Sequence, residues 1–180
     1  MKKTMFILLA VCMLWSAAGC SALGGIHTPT EPARKTFLVE NYALQIMADD
    51  TFYEDTGGSF DLQITNGNSY VSIMAYRYSE LAEGTTARDV YDIQNEDIFS
   101  KRVAVTEIEK TETFSLPQGE VIYGLFSAER DGSKNYYASY VIDLPEKETL
   151  AWVLVTAIPS YFHNNREHLN NIACSLTAAQ

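Results

Sequence analysis

The segment from Leu150 to Val155 constrains the fold of this chain more than any other stretch of its sequence. Its six consecutive residues, LAWVLV, are all apolar. They show neither the alternation of a half-exposed strand nor the length of a helix. A run of this kind is typical of a strand that is covered on both faces. The chain is therefore expected to build a sheet with other elements packed against each side of this strand.

A first hairpin is predicted well before that strand. Phe60, Leu62 and Ile64 alternate with polar residues, which places the three apolar side chains on one side of a strand. The corner Asn-Gly-Asn at 66–68 supplies the left-handed conformations that a tight turn requires, and the partner strand is expected at 70–78.

A second hairpin is predicted directly before the covered strand. Its strands are expected at 120–129 and 134–143, on either side of a turn at Asp131-Gly132. Consecutive strands joined by short turns pair in antiparallel fashion, so the sheet is expected to be mainly antiparallel.

Two helices are expected to cover this sheet. The first spans 87–100, where Thr86 and Asp89 resemble a capping box. At about 100° per residue its apolar residues share one side, whereas polar residues such as Asn95 are expected to point to solvent. The second helix begins after Pro159 and carries an apolar sector of about 120°.

The order of these elements predicts an α+β fold, a three-layer α/β/α sandwich with a mainly antiparallel central sheet. Three stretches carry a resemblance: FLVENY at 37–42, the helix that follows Thr86, and LPQG at 116–119 leading into the strand VIYG at 121–124. Over residues 37–176 the chain resembles the PsbP-like superfamily, which implies the same α/β/α sandwich. The resemblance rests on the plan of the fold, so it assigns no functional residue.

The N-terminus has the features of a secretory signal peptide at residues 1–19. Two lysines precede an apolar run from Met5 to Trp15, which at about 16 Å as a helix is too short to span a membrane. The residues Ala-Gly directly before Cys20 resemble the bacterial lipobox, which implies that the Cys20 thiol is acylated with diacylglycerol. Ala17 stands where a lipobox more often has Leu, so ordinary cleavage with a free Cys20 thiol stays an alternative.

The chain is predicted to have three parts. These are the signal peptide at 1–19, a lipidated flexible tether at 20–35 rich in Gly, Pro and small polar residues, and one globular PsbP-like domain at 36–180. Acylation of Cys20 would hold the domain on the extracytoplasmic face of the cell membrane. Cys174 is then the one thiol left in the domain, where we expect it to act as a small hydrophobe without a disulfide.

Two histidines on the predicted second helix are candidate metal ligands. His163 and His168 are five residues apart, so on a helix their rings point about 140° apart, whereas good chelation needs a spacing of four. We therefore expect no shared metal. His163 is predicted to be exposed, and His168 is predicted to lie at the boundary of the core beside Leu169.

Two further groups of side chains could carry a function. A loop rich in carboxylates contains Asp49, Asp50, Glu54 and Asp55. Its spacing does not fit an EF-hand, so a solvated loop is expected, with calcium as an alternative. A group of tyrosines comprises Tyr123, Tyr136, Tyr137 and Tyr140. They are expected to be half-buried in the sheet, with contact to a partner or a sugar as the alternative.

The sequence predicts a binding protein rather than an enzyme. No serine has the Gly-x-Ser-x-Gly context of a nucleophile elbow, and no phosphate-binding loop is present, so no catalytic residue and no cofactor is assigned. The formal charge of −10 excludes nucleic acid as an expected partner. We expect a membrane-anchored, non-catalytic module of the cell envelope with an envelope protein as partner. The alternative is a metal- or solute-binding accessory protein of an envelope enzyme or transporter.

Overall fold

The computed structural model describes residues 33–179, so the predicted signal peptide, Cys20 and most of the tether lie outside the described residues. The described part contains ten strands and two helices. The strands are β1 (Arg34–Val39), β2 (Leu44–Asp49), β3 (Tyr53–Glu54), β4 (Leu62–Thr65), β5 (Ser69–Arg77), β6 (Val103–Leu116), β7 (Gly119–Arg130), β8 (Ser133–Leu144), β9 (Thr149–Ala157) and β10 (Thr177–Ala178). The helices are α1 (Ala87–Ser100) and α2 (Pro159–Cys174).

These strands form two antiparallel sheets. The large sheet has seven strands in the order β3-β4-β5-β9-β8-β7-β6, and the small sheet has three in the order β1-β2-β10. All the strand pairs in both sheets are antiparallel. The two predicted hairpins are β4-β5 and β7-β8, and the element order confirms a mainly antiparallel α+β fold.

Strand β9 lies at the centre of the large sheet, and both of its faces are buried as the sequence predicts. Ala151, Val153 and Val155 contribute to one apolar cluster, while Trp152 and Leu154 contribute to a second cluster on the opposite face. The face of the first cluster is called the inner face here, and that of the second the outer face. Packing on both faces removes the alternation that a half-exposed strand would need.

The inner face is covered by α2 together with the small sheet. Helix α2 contributes Phe162 and Leu169, and the small sheet contributes Val39, Leu44 and Ile46. The small sheet was not predicted. Its β1–β2 pair is local, but β10 has only two residues and pairs with β2 over a long sequence distance. Its first strand begins at position 34, two residues before the predicted start of the globular domain.

The outer face is covered by α1, whose N-terminus confirms the predicted capping box. The Asp89 amide donates to Thr86 Oγ1 at 3.2 Å, and the Thr86 amide donates to Asp89 Oδ2 at 2.8 Å. The prediction for Asn95 was wrong, because this side chain is only 8% exposed. It lies one turn beyond the buried Tyr91, so packing against the sheet overrides the polarity of the residue.

The side predicted for Phe60 also needs correction. Leu62 and Ile64 belong to the inner cluster, whereas the Phe60 ring packs on the outer face with its centroid 6.4 Å from that of Trp152. The reason is that β4 begins only at position 62, so residue 60 lies in the bend before the strand. The alternation therefore does not extend back to it.

Gly124 on β7 is expected to be required by the packing of α1. A Cβ atom at this position would overlap the Tyr91 hydroxyl and lie 3.2 Å from Thr111 Oγ1. Gly124→Ala should lower the free energy of unfolding by about 1–3 kcal/mol, as overpacked cores do. Denaturant titration of Gly124→Ala, Tyr91→Phe and the double variant measures this effect. The double variant should lose less than the sum of the single variants, and strict additivity would contradict the account.

Candidate binding groove

The groove arises because one helix is too narrow for the outer face. Seven strands span about 29 Å at 4.8 Å per spacing, whereas a helix with its side chains is about 10–12 Å wide. Helix α1 packs mainly on β7, β8 and β9. The outer side of β4 and β5 is left open beside the helix as a groove of about 1220 Å³.

The groove has an apolar floor, and its rim carries both apolar and charged side chains. Its floor includes the buried side chains Trp152, Leu154 and Tyr137. Four large apolar side chains that are exposed to solvent stand around it, namely Tyr70, Ile93, Val103 and Ile158. The carboxylates of Asp97, Glu129 and Asp131 also line the groove, and those of Asp97 and Asp131 lie beside Lys101 and Arg130. Exposed apolar side chains gathered around a concave surface are typical of a binding site.

Arg102 brings a positive charge into this groove. Its guanidinium carbon lies 4.8 Å from the centre of the Tyr137 ring, and that ring is held edge to face by Phe99 at 5.7 Å. One terminal nitrogen, Nη1, donates to the carbonyl of Ile98 near the end of α1, while Nε is buried without a hydrogen-bond partner. Aromatic stacking and the helix C-terminus thus hold the charge in place.

No carboxylate among residues 33–179 forms an ion pair with Arg102. Its basic neighbours in the groove differ in this respect. Lys101 pairs with Asp97 at 2.7 Å, and Arg130 contacts Asp131 at 3.4 Å. Arg102 is therefore a fixed cation at the edge of the groove with donor capacity left for an anion.

The acidic loop and one of the histidines meet in the structure. His168 Nε2 lies 2.7 Å from Asp49 Oδ2, and the Thr51 amide donates to Asp49 Oδ1 at 2.8 Å. Burial acts to raise the pKa of Asp49, but the hydrogen bonds from Thr51 and the contact with His168 outweigh it, so the pKa lies below its ordinary value. The pair joins α2 to the end of β2. His168 is half-buried and His163 is exposed, as predicted.

The remaining carboxylates of this loop do not gather around a common point. Asp55 Oδ1 accepts a hydrogen bond from the Gly57 amide at 3.1 Å, which closes a local turn. Within residues 33–179, no group of three or more His, Cys, Asp or Glu side chains could hold a metal ion. The geometry of the described residues thus gives the metal-binding alternative no support.

The predicted tyrosine group lies mostly inside the protein. Tyr123, Tyr137 and Tyr140 are buried, and only Tyr136 is half-buried. Their burial leaves little ring surface for a partner or a sugar, and of this group only Tyr137, in the floor of the groove, belongs to the candidate site. Cys174 packs half-buried against the inner core as predicted, and burial raises the pKa of its thiol.

One tyrosine hydroxyl, that of Tyr140, joins α2 to the sheet directly, and that of Tyr123 does so through Glu109 of β6. Tyr123 donates to Glu109 Oε2 at 3.0 Å, and Tyr140 donates to Asn170 Oδ1 at 2.6 Å. Arg166 of α2 forms a bidentate pair with Glu109 at 2.5 and 2.6 Å. Burial, with the Glu109 carboxylate, raises the pKa of Tyr123 well above its usual range. This network stabilises the inner side of the protein.

Sequence reasoning missed the groove and Arg102. A basic residue just after a helix is ordinary, because cations favour helix C-termini. Nothing in the local pattern shows that Arg102 would stack on Tyr137, which follows 35 positions later in the chain. The uncovered part of the outer face likewise depends on where α1 packs, which the sequence periodicity does not specify.

Seven antiparallel strands with two helices define the PsbP/Mog1-like fold, which confirms the resemblance predicted from the sequence. PsbP (CyanoP) from the cyanobacterium Synechocystis sp. PCC 6803 is similar with a TM-score of 0.60 and 8% identity, covering 88% of this chain and 98% of that one. The Ran-binding protein Mog1p from Saccharomyces cerevisiae is similar with a TM-score of 0.60 and 9% identity, covering 83% and 97%.

LpqN, which is involved in cell envelope biogenesis of Mycobacterium tuberculosis, has a TM-score of 0.57 and 9% identity, covering 83% of this chain and 86% of its own. No model of a protein family matches the chain, and no curated protein does. Among residues 33–179, no helix is long and apolar enough to cross a membrane.

Asp49 is expected to stabilise the fold in a pH-dependent way. Because its pKa is lowered in the folded state, ionised Asp49 contributes stability above the pKa of the unfolded chain, and this is lost as the pH falls through the folded pKa. Asp49→Asn should therefore cost about 1 kcal/mol at neutral pH, and less in acid. Denaturant titrations of both proteins down to about pH 3 measure the difference.

Asp50→Asn is the matched control, because the Asp50 side chain is exposed in the same loop. Its free energy of unfolding should stay within about 0.5 kcal/mol of the wild type at every pH. A cost for Asp49→Asn that stays constant from neutral to acidic pH would contradict the assignment.

Proposed function

We propose that this protein is a lipoprotein anchored to the extracytoplasmic face of the cell membrane and acts as a non-catalytic binding module of the cell envelope. The groove on the outer face is its binding surface. The observation that carries this proposal is the groove of about 1220 Å³, which has an apolar floor and the unpaired guanidinium of Arg102 at its edge.

The proposed anchor is supported by the sequence before the domain. Cys20 follows the lipobox-like residues, and β1 begins at Arg34, so thirteen residues would separate the acylated cysteine from the first strand. A flexible segment of this length has an r.m.s. span of about 20 Å. Such a tether would keep the groove close to the membrane and to other proteins of the envelope.

A non-catalytic role is supported by what the polar side chains do. The Asp49–His168 pair and the Glu109–Arg166 pair each join two elements of the fold, and Cys174 is a half-buried thiol with a raised pKa. The two apolar clusters on opposite faces of the large sheet support the three-layer arrangement as part of the proposal.

The similar structures are consistent with a binding or accessory role. LpqN has the same fold and is involved in cell envelope biogenesis, and Mog1p binds Ran. Together with the groove of this chain, these roles support a protein of the envelope as its proposed partner.

The anchor is tested by Cys20→Ala. We expect the wild-type protein to sediment with membranes, because two acyl chains on the cysteine hold a protein far more firmly than one. The variant should lose this association, because alanine has no thiol to carry acyl chains. Immunoblots of membrane and soluble fractions measure it, and mass spectrometry of the mature N-terminal peptide identifies the diacylglyceryl group. Cys174→Ala is the control and should stay with the membranes. An intact N-terminal Met1, or an unmodified Cys20 thiol in released protein, would contradict the proposal.

A further inference from the structure

We propose that the groove binds an extended segment of a partner protein in which a carboxylate is flanked by apolar side chains, and that Arg102 binds this carboxylate. The inference rests on the proposed binding role of the groove and adds the chemistry of its occupant. It is argued from the charge of Arg102, from the apolar side chains of the rim and from the polar wall of the groove.

Arg102 keeps hydrogen-bond donors for a ligand on its terminal nitrogens. The guanidinium has five N–H donors in a fixed plane, of which one is used on the carbonyl of Ile98 and the Nε donor is buried. Tyr137 supports the face of the cation but accepts no charge-assisted hydrogen bond from its edge. A carboxylate is the group that matches the planar fork of an arginine in a bidentate manner. The missing ion pair of this cation is therefore the expected contact of a ligand.

The rim argues for a protein segment. Ile93 is 59% exposed and Val103 is 66% exposed, and with Tyr70 and Ile158 they stand apart around the groove instead of closing over it. Separate apolar contacts beside an arginine and a tyrosine are typical of the energetic centre of a protein interface. The apolar side chains of the partner segment would lie against them, on either side of its carboxylate.

The polar wall distinguishes a peptide from a lipid acyl chain. Gln63 of β4, Ser72 of β5 and Thr156 near the end of β9 line the groove. The N–H and C=O groups of an extended peptide can form hydrogen bonds with an amide and two hydroxyls. An acyl chain would leave these polar groups without partners in an apolar environment, which costs free energy.

The excess of negative charge on the chain makes this contact selective. With a formal charge of −10, the protein repels acidic partners at long range. An acidic segment gains from binding only where its carboxylate reaches Arg102, so contact elsewhere on the surface is disfavoured. The arrangement selects for the position of the carboxylate within the segment as well as for its presence.

A displayed library of random peptides tests the proposal. The protein is purified from the cells that produce it, kept in nanodiscs of zwitterionic lipid and used for selection. We expect the enriched peptides to share an Asp or Glu flanked by apolar residues. A synthetic peptide of the enriched sequence, and the same peptide with Asn or Gln at the acidic position, are then titrated by isothermal calorimetry.

The acidic peptide should bind roughly ten- to a hundredfold more tightly than its amide counterpart, as expected for a hydrogen-bonded charge pair. Arg102→Gln should remove this preference. Because Arg102 also stacks on Tyr137, the thermal unfolding of this variant is measured alongside. Two variants at Ile93 keep the test decisive even where Arg102→Gln unfolds.

The two Ile93 variants place opposite charges at one exposed position of the rim. Ile93→Asp and Ile93→Lys both remove an apolar contact, but the acidic variant should weaken binding of the acidic peptide by about tenfold relative to the basic one. Ile108→Asp is the control, since Ile108 is exposed on β6 and does not line the groove. It should bind the peptide as the wild type does.

Three results would overturn the inference. These are selected peptides without a shared acidic residue, equal binding by the two Ile93 variants, or no peptide binding while dodecanoate binds in an Arg102-dependent manner. The last result would assign the groove to a lipid. None of them bears on membrane anchoring through Cys20, which is measured by fractionation, so failure of this inference and failure of the anchor are distinguished.

Discussion

The fold depends on how the two faces of one seven-stranded sheet are shielded from water. The inner face has both α2 and the small sheet against it, and the two together are wide enough to bury the side chains of the central strands. The outer face has only α1, which packs mainly on three strands. This difference between the faces creates the groove, because apolar side chains of β5 and β9 continue beyond the edge of the helix.

The edge strand β6 joins both helices to the sheet. Glu109 points to the inner side, where it pairs with Arg166 of α2, while Thr111 points to the outer side, where its hydroxyl lies 3.2 Å from that of Tyr91 of α1. Residues two apart normally share a face, and the register shift between Glu109 and Glu112 allows these two to separate. Such irregularities also make an exposed edge less suitable for pairing with another strand.

Local patterns in the sequence predicted the local parts of the fold. The apolar run at 150–155 identified the central strand, Thr86 and Asp89 identified the start of α1, and the Asp131 turn identified the hairpin of β7 and β8. Each of these depends on residues that are close in the chain. The PsbP-like fold followed from their order.

The parts that were missed depend on contacts between distant residues. The small sheet joins β2 to β10, which pair Gln45 with Thr177. Asn95 is buried by the sheet beneath α1, and Arg102 gains its position from Tyr137. The face of Phe60 was predicted wrongly for a local reason, because β4 starts later than the alternation of apolar residues in the sequence. The groove combines several such effects, so periodicity alone could not locate it.

The central claim is that the uncovered part of the outer face is occupied when the protein is in the cell. Hydroxyl-radical footprinting with mass spectrometry, in intact cells and on purified protein, measures this directly. Tyr70 and Met74 line the groove, while Tyr53 and Met47 are exposed elsewhere and serve as references of the same residue types. The account predicts that oxidation of Tyr70 and Met74 falls in cells relative to these references. Equal ratios in cells and in the purified protein would contradict it.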